Sequence, residues 1–479
     1  MKRLLHALLL SIAITTVMVY FSKAFRDFWQ KDLNIVLISV DTVRPDHLST
    51  YGYDRNTDPN LKKLAEKSIV FQNAFTLIPQ TYPSFAMLFT GKSPLTTGIF
   101  SNASPQNAAL GELFRNTKLL SAETETLATI LQKNGYYTVS FITSGILDDA
   151  FTGLSQGFDS YNQFSVYDIN EWKQNRELYD AFIEKGTDWF AENKQQKFFY
   201  WIHLMDPHSP YYPPQVDRCL FQSEENCQML QTQSFDKIDS FKSPYYACSA
   251  EEAPVNIVDR YVALYDAELA SSDRQVGKIL DALEKNNLMN NTIIIYYGDH
   301  GESFEHHYYF AHGESLYDST IRIPLVIYDP LKKAKQIIKT RITNVDILPT
   351  ILDLVHIPYT KNQFDGESML NNNSDATIDG NDYVYFSNYN LTKFAVMKGQ
   401  YKYIASQPSA CILNGVRDEL YDIVSDPEEK RNLVTIESGI TEDLSKALEK
   451  YFSNMKRKPP LEKQDKNDRI LEELKSLGY

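Results

Sequence analysis

The chain has 479 residues, of which 43% are hydrophobic and 23% are charged, and its net charge at pH 7 is −14. A chain of this length can bury a large core, so we expect one large domain and a smaller one. The acidic balance and the lack of a basic stripe exclude a nucleic-acid partner, and no internal repeat is visible.

The first residues predict export. Lys2 and Arg3 precede an apolar run over residues 4–21, whose only potential charge is on His6. A short basic flank before an apolar segment is typical of a signal peptide, and Ser22-Lys23-Ala24 would suit cleavage. The run is also long enough for a single membrane anchor. Residues 1–30 are therefore either a signal peptide or an anchor that associates with the membrane through residues 4–21, and the remainder is periplasmic or extracellular.

The next 350 or so residues alternate between apolar, β-rich runs and helical patterns. The predicted strands are Asn34–Val40, Tyr136–Ile142, Phe198–Leu204, Thr292–Tyr297 and Ile323–Tyr328. The predicted helices are residues 59–67 with Asp58 as N-cap, Thr124–Asn134, and Val258–Lys285 with a buried face of Val262, Leu264, Leu269, Val276, Ile279 and Leu283. This alternation indicates an α/β catalytic domain over 31–380, with a mostly parallel central sheet flanked by helices.

A second pattern begins after about residue 380. Short segments separated by turn residues predict antiparallel strands at Tyr383–Phe386, Phe394–Lys398 and Tyr401–Ile404, with a charged helix later. We therefore expect a smaller α+β domain with an antiparallel sheet over 381–479.

A polar segment at about 215–255 looks like a surface insertion and holds three of the four cysteines. In an oxidising compartment we expect the pairs Cys219–Cys227 and Cys248–Cys411, and the alternative is free thiols on a surface loop.

Residues 79–91 read PQTYPSFAMLFTG and predict a short buried helix over Ser84–Thr90. Pro83 suits its first position, and Gly91 suits the left-handed residue after its end. Thr81 would then lie just before the helix, where free N–H groups and the helix dipole favour negative charge. Its hydroxyl either caps the helix or attacks an anionic ester.

Several side chains with useful chemistry lie at predicted strand ends. Asp41, His203, Asp299 and His300 all do so, and functional residues of parallel sheets gather beyond the carboxyl ends of the strands. Asp41, Asp299, His300 and the Thr81 oxygen could hold one divalent cation, which is Ca, Mg, Mn or Zn. His203 and His312 could then protonate the leaving group and support the transferred anion.

The order of these motifs resembles the sulfatase family of the alkaline phosphatase superfamily, over roughly residues 34–433. The matching stretches are Val40–His47 (VDTVRPDH), Thr81–Ser84 with Thr90-Gly91, Gly157–Tyr161, His203–Tyr211 (HLMDPHSPY), Gly298–Glu302 (GDHGE), His312-Gly313 with Leu316–Asp318, Arg322–Leu325, Leu420–Asp422, Asp426-Pro427 and Asn432-Leu433. The resemblance implies an alkaline phosphatase-like fold and an anionic ester substrate.

The resemblance also implies roles for single residues. It makes Asp41, Asp299 and His300 metal ligands and Thr81 a metal-contacting nucleophile, and it places His203 at the leaving group and His312 beside the transferred group. Thr42 stands where many sulfatases have a second Asp ligand. Asp206 and His208 are expected to shape a loop, and His306 and His307 are expected to be exposed.

Two departures from the family pattern bear on the reaction. Sulfatases carry a Cys that becomes formylglycine, followed by Pro and Arg, whereas this chain has Thr81 and Phe85 at those places. The family's Lys-Trp-His stretch is also absent, at Ile142–Gly145. An ester on Thr81 must be released by attack on sulfur or phosphorus, and a less cationic pocket compensates a dianion poorly. We therefore expect a phosphodiester or phosphonate to be preferred over a sulfate ester.

Two alternatives stay open at this point. The chain could be a membrane-anchored phosphoethanolamine-type transferase, since such enzymes use a Thr nucleophile. It could also be a non-catalytic metal-binding homologue, since the family residues at 81, 85 and 143 are replaced.

Overall fold

The computed structural model describes residues 33–102, 119–164, 176–232, 255–306, 308–332, 334–371, 383–407 and 417–457. Within these ranges the chain forms a nine-stranded sheet, a four-stranded sheet and a two-stranded hairpin, all flanked by helices. The large sheet contains strands β1 Asn34–Val40, β2 Ile69–Phe75, β3 Tyr137–Ile142, β4 Ser160–Gln163, β5 Phe198–Leu204, β6 Thr292–Gly298, β9 Arg322–Tyr328, β10 Gln336–Ile338 and β11 Ile342–Thr343. The hairpin consists of β7 Ser303–Glu305 and β8 Tyr308–Ala311.

Helices cover both faces of the large sheet. The helices of the described residues are α1 Pro59–Ala65, α2 Thr81–Thr90, α3 Pro94–Thr97, α4 Leu127–Lys133, α5 Asp149–Thr152, α6 Arg176–Asn193, α7 Glu224–Thr232, α8 Val255–Lys285, α9 Asp318–Ile321, α10 Ile347–Leu354 and, on the second sheet, α11 Ser438–Arg457. Because one apolar cluster lies on each face of the sheet, its central strands are buried on both sides, which explains their nearly uninterrupted apolar sequences.

The strand order is β10-β2-β9-β6-β1-β5-β3-β4, with β11 also beside β2. Strand β9 runs antiparallel to β2 and β6, and the other neighbouring pairs are parallel. The prediction of a mostly parallel central sheet is confirmed. Strand β1 lies between β5 and β6, so the carboxyl ends of these three strands are adjacent.

Two local predictions need correction. Strand β2 was not predicted, because Gln72 and Asn73 interrupt its apolar pattern. Asp58 does not cap helix α1 with its side chain, and its carboxylate instead accepts hydrogen bonds from the backbone of residues 49 and 50. The free N–H groups of Asn60 and Leu61 donate to Asp273 of α8, at 2.8 and 2.9 Å.

The C-terminal part contains the expected antiparallel sheet, within the range 381–479 predicted for the smaller domain. Its strands, in order across the sheet, are β12 Val384–Ser387, β13 Lys393–Lys398, β14 Tyr401–Ser406 and β15 Asp418–Asp422. Strand β15 extends the sheet beyond the three predicted strands. Helix α11 packs on this sheet through Leu444 and Leu448.

A disulfide joins Cys219 and Cys227, which confirms that prediction. The predicted pair Cys248–Cys411 lies outside the described residues, as does the predicted export or anchor segment at residues 1–30. Among the described residues, no helix combines the length and the apolar character needed to cross a membrane.

Candidate active site

The site lies at the carboxyl ends of the central strands. Asp41 follows β1 and Asp299 and His300 follow β6, and because Val40 pairs with Gly298 in parallel register, the two strand ends meet. All three side chains are buried. One ligand atom from each of them lies within 4.8 Å of the other two. The structure thus brings together three of the four predicted metal ligands, and the hydroxyl of the fourth, Thr81, lies beside them.

The ring of His300 has a defined orientation. Its Nδ1 lies 3.0 Å from the carbonyl oxygen of Gly301, which can only accept, so Nδ1 carries the proton. Nε2 then presents a lone pair, which lies 3.7 Å from Asp41 Oδ1, 3.5 Å from Asp299 Oδ2 and within hydrogen-bond distance of the Thr81 hydroxyl. Only glycine fits at position 301, because a Cβ there would lie 2.0 Å from the Ser319 carbonyl oxygen.

Several buried acceptors in the cluster lack hydrogen-bond partners. Both carboxylate oxygens of Asp41 and Oδ2 of Asp299 are in this state, although His203 Nε2 lies within ion-pair distance of Asp41 Oδ2 at 3.4 Å. Asp299 Oδ1, in contrast, accepts from the backbone N–H groups of Thr42 and His300. Buried polar atoms without partners are costly and uncommon in native proteins. Two carboxylates and one imidazole lone pair converge here, and this donor set fits a divalent cation.

The electrostatics of the cluster favour the same ligand. Burial raises the pKa of Asp41, but His203, His208 and His300 lower it more, so this pKa lies below its usual range. Burial, and then the nearby Asp41 carboxylate, raise the pKa of Asp299 well above its ordinary value. Burial, and next the proximity of His312, lower the pKa of His300 to about 3, so its ring is neutral. A bound cation would relieve the repulsion between the two carboxylates.

Thr81 is the first residue of helix α2, and it does not precede the helix as predicted. Pro83 therefore occupies the third helical position, while Gly91 has the expected left-handed conformation with φ of 61°. The N–H of Tyr82, in the first turn of the helix, donates to the side-chain oxygen of Asn102 at 2.8 Å. Asn102 thus pairs an N–H group that an N-cap side chain would otherwise pair. The hydroxyl of Thr81 lies 3.3 Å from His300 Nε2, at the metal-ligand cluster.

A buried hydrogen-bond network fixes helix α2 against β6. Ser84 Oγ donates to the carbonyl oxygen of Asp299 at 2.8 Å and lies at hydrogen-bond distance from the Tyr297 hydroxyl. Asn344 Nδ2 lies 3.2 Å from the same Ser84 Oγ. Because this network joins the helix directly to a predicted metal ligand, it sets the distance between Thr81 and the cluster.

His203 belongs to β5 and has no exposed surface. Its Nε2 lies 3.4 Å from Asp41 Oδ2, and its Nδ1 lies 3.0 Å from Ser39 Oγ. The ring of Phe85 contacts it edge-on, with centroids 5.1 Å apart. His203 therefore faces a predicted metal ligand and is enclosed by the core.

His312 follows the β7–β8 hairpin and lies beside His300, with ring centroids 4.3 Å apart. Its Nδ1 is 3.1 Å from Glu302 Oε1, and Tyr211 donates to the other oxygen of Glu302 at 3.1 Å. Burial lowers the pKa of His312, but Glu302 raises it more, so it lies above its ordinary value. Glu302 thus orients His312 and favours its charged form.

His208 was expected only to shape a loop, but the structure brings it into the site. Its ring lies 5.0 Å from that of His312, and it is partly exposed. Burial lowers the pKa of His208 below its ordinary value. Sequence reasoning missed it because the contact joins two loops about a hundred positions apart. The signal was its place in the motif at 203–211.

Thr42 contributes through its backbone. Its N–H donates to Asp299 Oδ1 at 3.1 Å, and its carbonyl oxygen accepts from the hydroxyl of Tyr265 at 2.7 Å. Its φ of 53° is unusual for a β-branched residue, and such strain is often stored at functional sites. The Thr42 hydroxyl is buried without a hydrogen-bond partner.

The remaining residues singled out in the sequence lie outside the cluster. Asp206 forms an ion pair with Arg176 of α6. His306 is not exposed as predicted, because its ring stacks on Tyr317 with centroids 4.1 Å apart, and its Nε2 lies 2.9 Å from the carbonyl oxygen of Glu428. His307 lies outside the described residues.

Comparisons with known proteins give consistent results. The family model "Sulfatase" matches residues 33–357, and the model "N-sulphoglucosamine sulphohydrolase, C-terminal" matches residues 305–458. Arylsulfatase K of Canis lupus familiaris is 26% identical, and the match covers 88% of this chain and 82% of that protein. An arylsulfatase of Clostridium perfringens is 25% identical, with 84% of this chain and 90% of that protein covered.

Solved structures with the same fold are more distant in sequence. One was determined in complex with its substrate D-glucosamine-2-N,6-O-disulfate, at a TM-score of 0.67 and 20% identity, covering 90% of this chain and 100% of that chain. The phosphonate monoester hydrolase of Agrobacterium radiobacter has a TM-score of 0.62 and 19% identity, covering 88% of this chain and 95% of that chain.

Proposed function

This chain belongs to the sulfatase family and is a hydrolase of ester bonds, and on that premise we propose that Thr81 is its nucleophile. We further propose that it acts on monoanionic phosphodiesters or phosphonate esters in preference to sulfate esters. The observation that carries the proposal is the position of Thr81 Oγ1, 3.3 Å from His300 Nε2 at a buried cluster of two carboxylates.

The donor set also supports a choice of metal. Asp41, Asp299 and His300 offer two carboxylates and an imidazole, and the Thr81 oxygen is adjacent. Ca²⁺ takes about six to eight oxygen ligands. Imidazole suits Zn²⁺, and carboxylates suit Mn²⁺ as well as Ca²⁺. Because this small set combines carboxylates with an imidazole, we propose Zn²⁺ or Mn²⁺ over Ca²⁺. When bound, such an ion would lower the pKa of the Thr81 hydroxyl and polarise the transferred group.

The proposed reaction has two steps. Thr81, after its hydroxyl proton has passed to solvent water, attacks through Oγ1, which forms a bond to phosphorus and breaks the bond between phosphorus and the leaving oxygen, and this oxygen takes a proton from a histidine. Water then attacks phosphorus, gives one proton to that histidine and leaves its hydroxyl on phosphorus, and Thr81 is released as the alkoxide that begins the next cycle. His312 is the proposed donor because Glu302 favours its charged form, with His208 beside it. His203 is less suited because it has no exposed surface.

The preference for a monoanion rests on Phe85. This side chain is buried and packs on Trp201, with ring centroids 5.0 Å apart, where the family resemblance calls for a cation. Without that cation, a second negative charge on the substrate would lie in a buried site with poor compensation. The phosphonate monoester hydrolase among the structural neighbours is compatible with this preference.

We also propose that the protein is exported, by a cleaved signal or with a retained anchor. The basic and then apolar start of the chain supports this, as does the Cys219–Cys227 disulfide, because disulfides persist in oxidising compartments.

The test compares wild type with Thr81→Ala and with the control Thr90→Ala, which changes the other end of the same helix. The substrates are an aryl sulfate, a phosphate monoester, a phosphodiester and a phosphonate ester, each with Mn²⁺, Zn²⁺, Mg²⁺ or Ca²⁺. We expect phosphodiester or phosphonate turnover that falls by about 10³-fold or more in Thr81→Ala and stays near wild type in Thr90→Ala. Faster turnover of the aryl sulfate than of the matched phosphodiester would contradict the substrate preference.

A further inference from the structure

A chain of three buried side chains leads from the core to Asp41. Trp201 Nε1 donates to Ser39 Oγ at 2.9 Å, and Ser39 Oγ lies 3.0 Å from His203 Nδ1. At the other side of the same ring, His203 Nε2 lies 3.4 Å from Asp41 Oδ2. Ser39 and His203 are register partners on the parallel strands β1 and β5, so the sheet itself brings these groups together.

The chemistry of these groups determines where the protons lie. Trp201 is only a donor, so the single proton of Ser39 points either to His203 Nδ1 or to the carbonyl oxygen of Ile202, at 3.2 Å. A neutral His203 ring with its proton on Nδ1 would set the lone pair of Nε2 against a carboxylate, which is repulsive. A ring protonated on Nε2 instead presents an N–H toward Asp41 Oδ2, at 3.4 Å. The favourable arrangement therefore carries a proton on Nε2.

The surroundings leave His203 little freedom. Its side chain is fully buried. The ring of Phe85 packs edge-on against it, with the two ring centroids 5.1 Å apart. Thr143 Oγ1 donates to the backbone carbonyl oxygen of His203 at 2.6 Å. Asp41 Oδ1 points to the opposite side, 3.7 Å from His300 Nε2. The two oxygens of Asp41 thus have different neighbours, one facing His203 and the other facing the metal-ligand cluster.

We propose that His203, held by Ser39, is a positioning residue that keeps Oδ2 of Asp41 turned to itself and so directs Oδ1 to the metal. Side chains that hold a metal ligand in place in this way set its orientation and contribute to metal affinity. The inference rests on the proposed function in that it takes Asp41 as a ligand. It gives His203 a role at the metal ligand, separate from the protonation of the leaving group.

The test measures Mn²⁺ affinity by calorimetry on the full-length protein and its variants. Ser39→Ala removes the link between Trp201 and His203. Its control is Ser140→Ala, because Ser140 is also buried in the same sheet, pairs with Trp201 in register and has no hydrogen-bond partner for its Oγ. We expect the Mn²⁺ affinity to fall about ten- to a hundredfold in Ser39→Ala and to stay at the wild-type value in Ser140→Ala.

A pair of changes at His203 separates its two contacts. The amide of an Asn side chain reaches about as far as Nδ1, and that of a Gln reaches about as far as Nε2. His203→Gln keeps a donor near Asp41, so we expect it to bind Mn²⁺ more tightly than His203→Asn. In Ser39→Ala, kcat at saturating Mn²⁺ should recover, because the change acts through metal binding. Circular dichroism with thermal unfolding checks that each variant is folded.

The outcomes separate this inference from the function on which it depends. Wild-type affinity for Mn²⁺ in folded Ser39→Ala and His203→Asn would overturn the positioning role alone. A kcat that stays low at saturating Mn²⁺ with unchanged affinity would also overturn it, and would place His203 at the leaving group. A wild-type protein that binds none of Mn²⁺, Zn²⁺, Mg²⁺ or Ca²⁺ would overturn the proposed function as well.

Discussion

Two buried clusters of charge lie in different parts of this molecule and are compensated differently. At the junction of the two sheets, Lys402 of β14 is fully buried and lies 2.8 Å from Asp318 and 2.5 Å from Glu429. In the site, Asp41 and Asp299 are equally buried, and no Lys or Arg forms a described ion pair with either. The first cluster contains its own Lys counterion, while the carboxylates of the second have only histidine neighbours and could be compensated by a bound cation. A buried carboxylate in this protein therefore indicates a cation-binding site only where no buried Lys or Arg is paired with it.

The largest effect is expected from a substitution at the metal-ligand cluster, where the two carboxylates have no Lys or Arg partner. Asp299→Asn should abolish turnover, by about 10³-fold or more, because it removes a ligand charge. The same change removes repulsion from Asp41, so the metal-free protein should unfold at an equal or higher urea concentration than wild type. Activity assays and urea unfolding without metal measure the two effects. A variant that is both active and less stable would contradict the contrast.

Lys402→Met should act in the opposite way. It leaves the buried Glu429 carboxylate and the partly buried Asp318 carboxylate without their counterion, which costs about 3–5 kcal/mol of unfolding free energy. Its Mn²⁺ affinity should remain near wild type in the folded fraction, because the change does not touch the site. Urea unfolding and calorimetry measure these quantities, and a stability close to wild type would show that Lys402 is not the needed counterion.

The Lys402 cluster should also give a pH dependence. Burial raises the pKa of Glu429 to about 8, although Lys402 lowers it in part. The folded state then binds a proton that the unfolded state releases near the ordinary Glu pKa of about 4.3. Stability should therefore fall as pH rises between these values. Measuring the unfolding free energy of wild type and of Glu429→Gln across this pH range isolates the effect. We expect the unfolding free energy of Glu429→Gln, relative to that of wild type, to increase as pH rises.

The smallest expected effect concerns the backbone beside the metal ligands. The hydroxyl of Tyr265 donates to the carbonyl oxygen of Thr42 and accepts from the N–H of Arg44 at 2.9 Å. Tyr265→Phe should cost about 1–3 kcal/mol, since it leaves buried backbone groups unpaired. It should also weaken Mn²⁺ binding, because Thr42 N–H holds Asp299. Loss of stability with unchanged Mn²⁺ affinity would show that the hydrogen bonds of Tyr265 stabilise the fold but do not position Asp299.

The sequence predicted which of these side chains meet at the strand ends. Asp41, Asp299 and His300 follow buried strands whose patterns are local, and parallel pairing brings such ends together. The start of helix α2 was misplaced by three residues, because Pro83 is compatible with any position of the first turn, where N–H groups have no partner in the helix.

Contacts between distant segments were not predictable from local patterns. Asp273 caps a helix more than 200 positions away, whereas Asp58 looked like its cap. His208 meets His312 only because the loops that carry them converge over the site. The orphan oxygens of Asp41 are likewise visible only in the folded structure, since a sequence does not show which carboxylates lack partners.

The most direct test of the account is the mass of the protein trapped during turnover. Wild-type protein with Mn²⁺ is mixed with a phosphonate ester, quenched in acid within the first turnovers, and its peptides are analysed by mass spectrometry. We predict a phosphonyl adduct on the peptide that contains Thr81, and neither adduct nor turnover in Thr81→Ala. Turnover at the wild-type rate by Thr81→Ala, or an adduct on another residue, would contradict it.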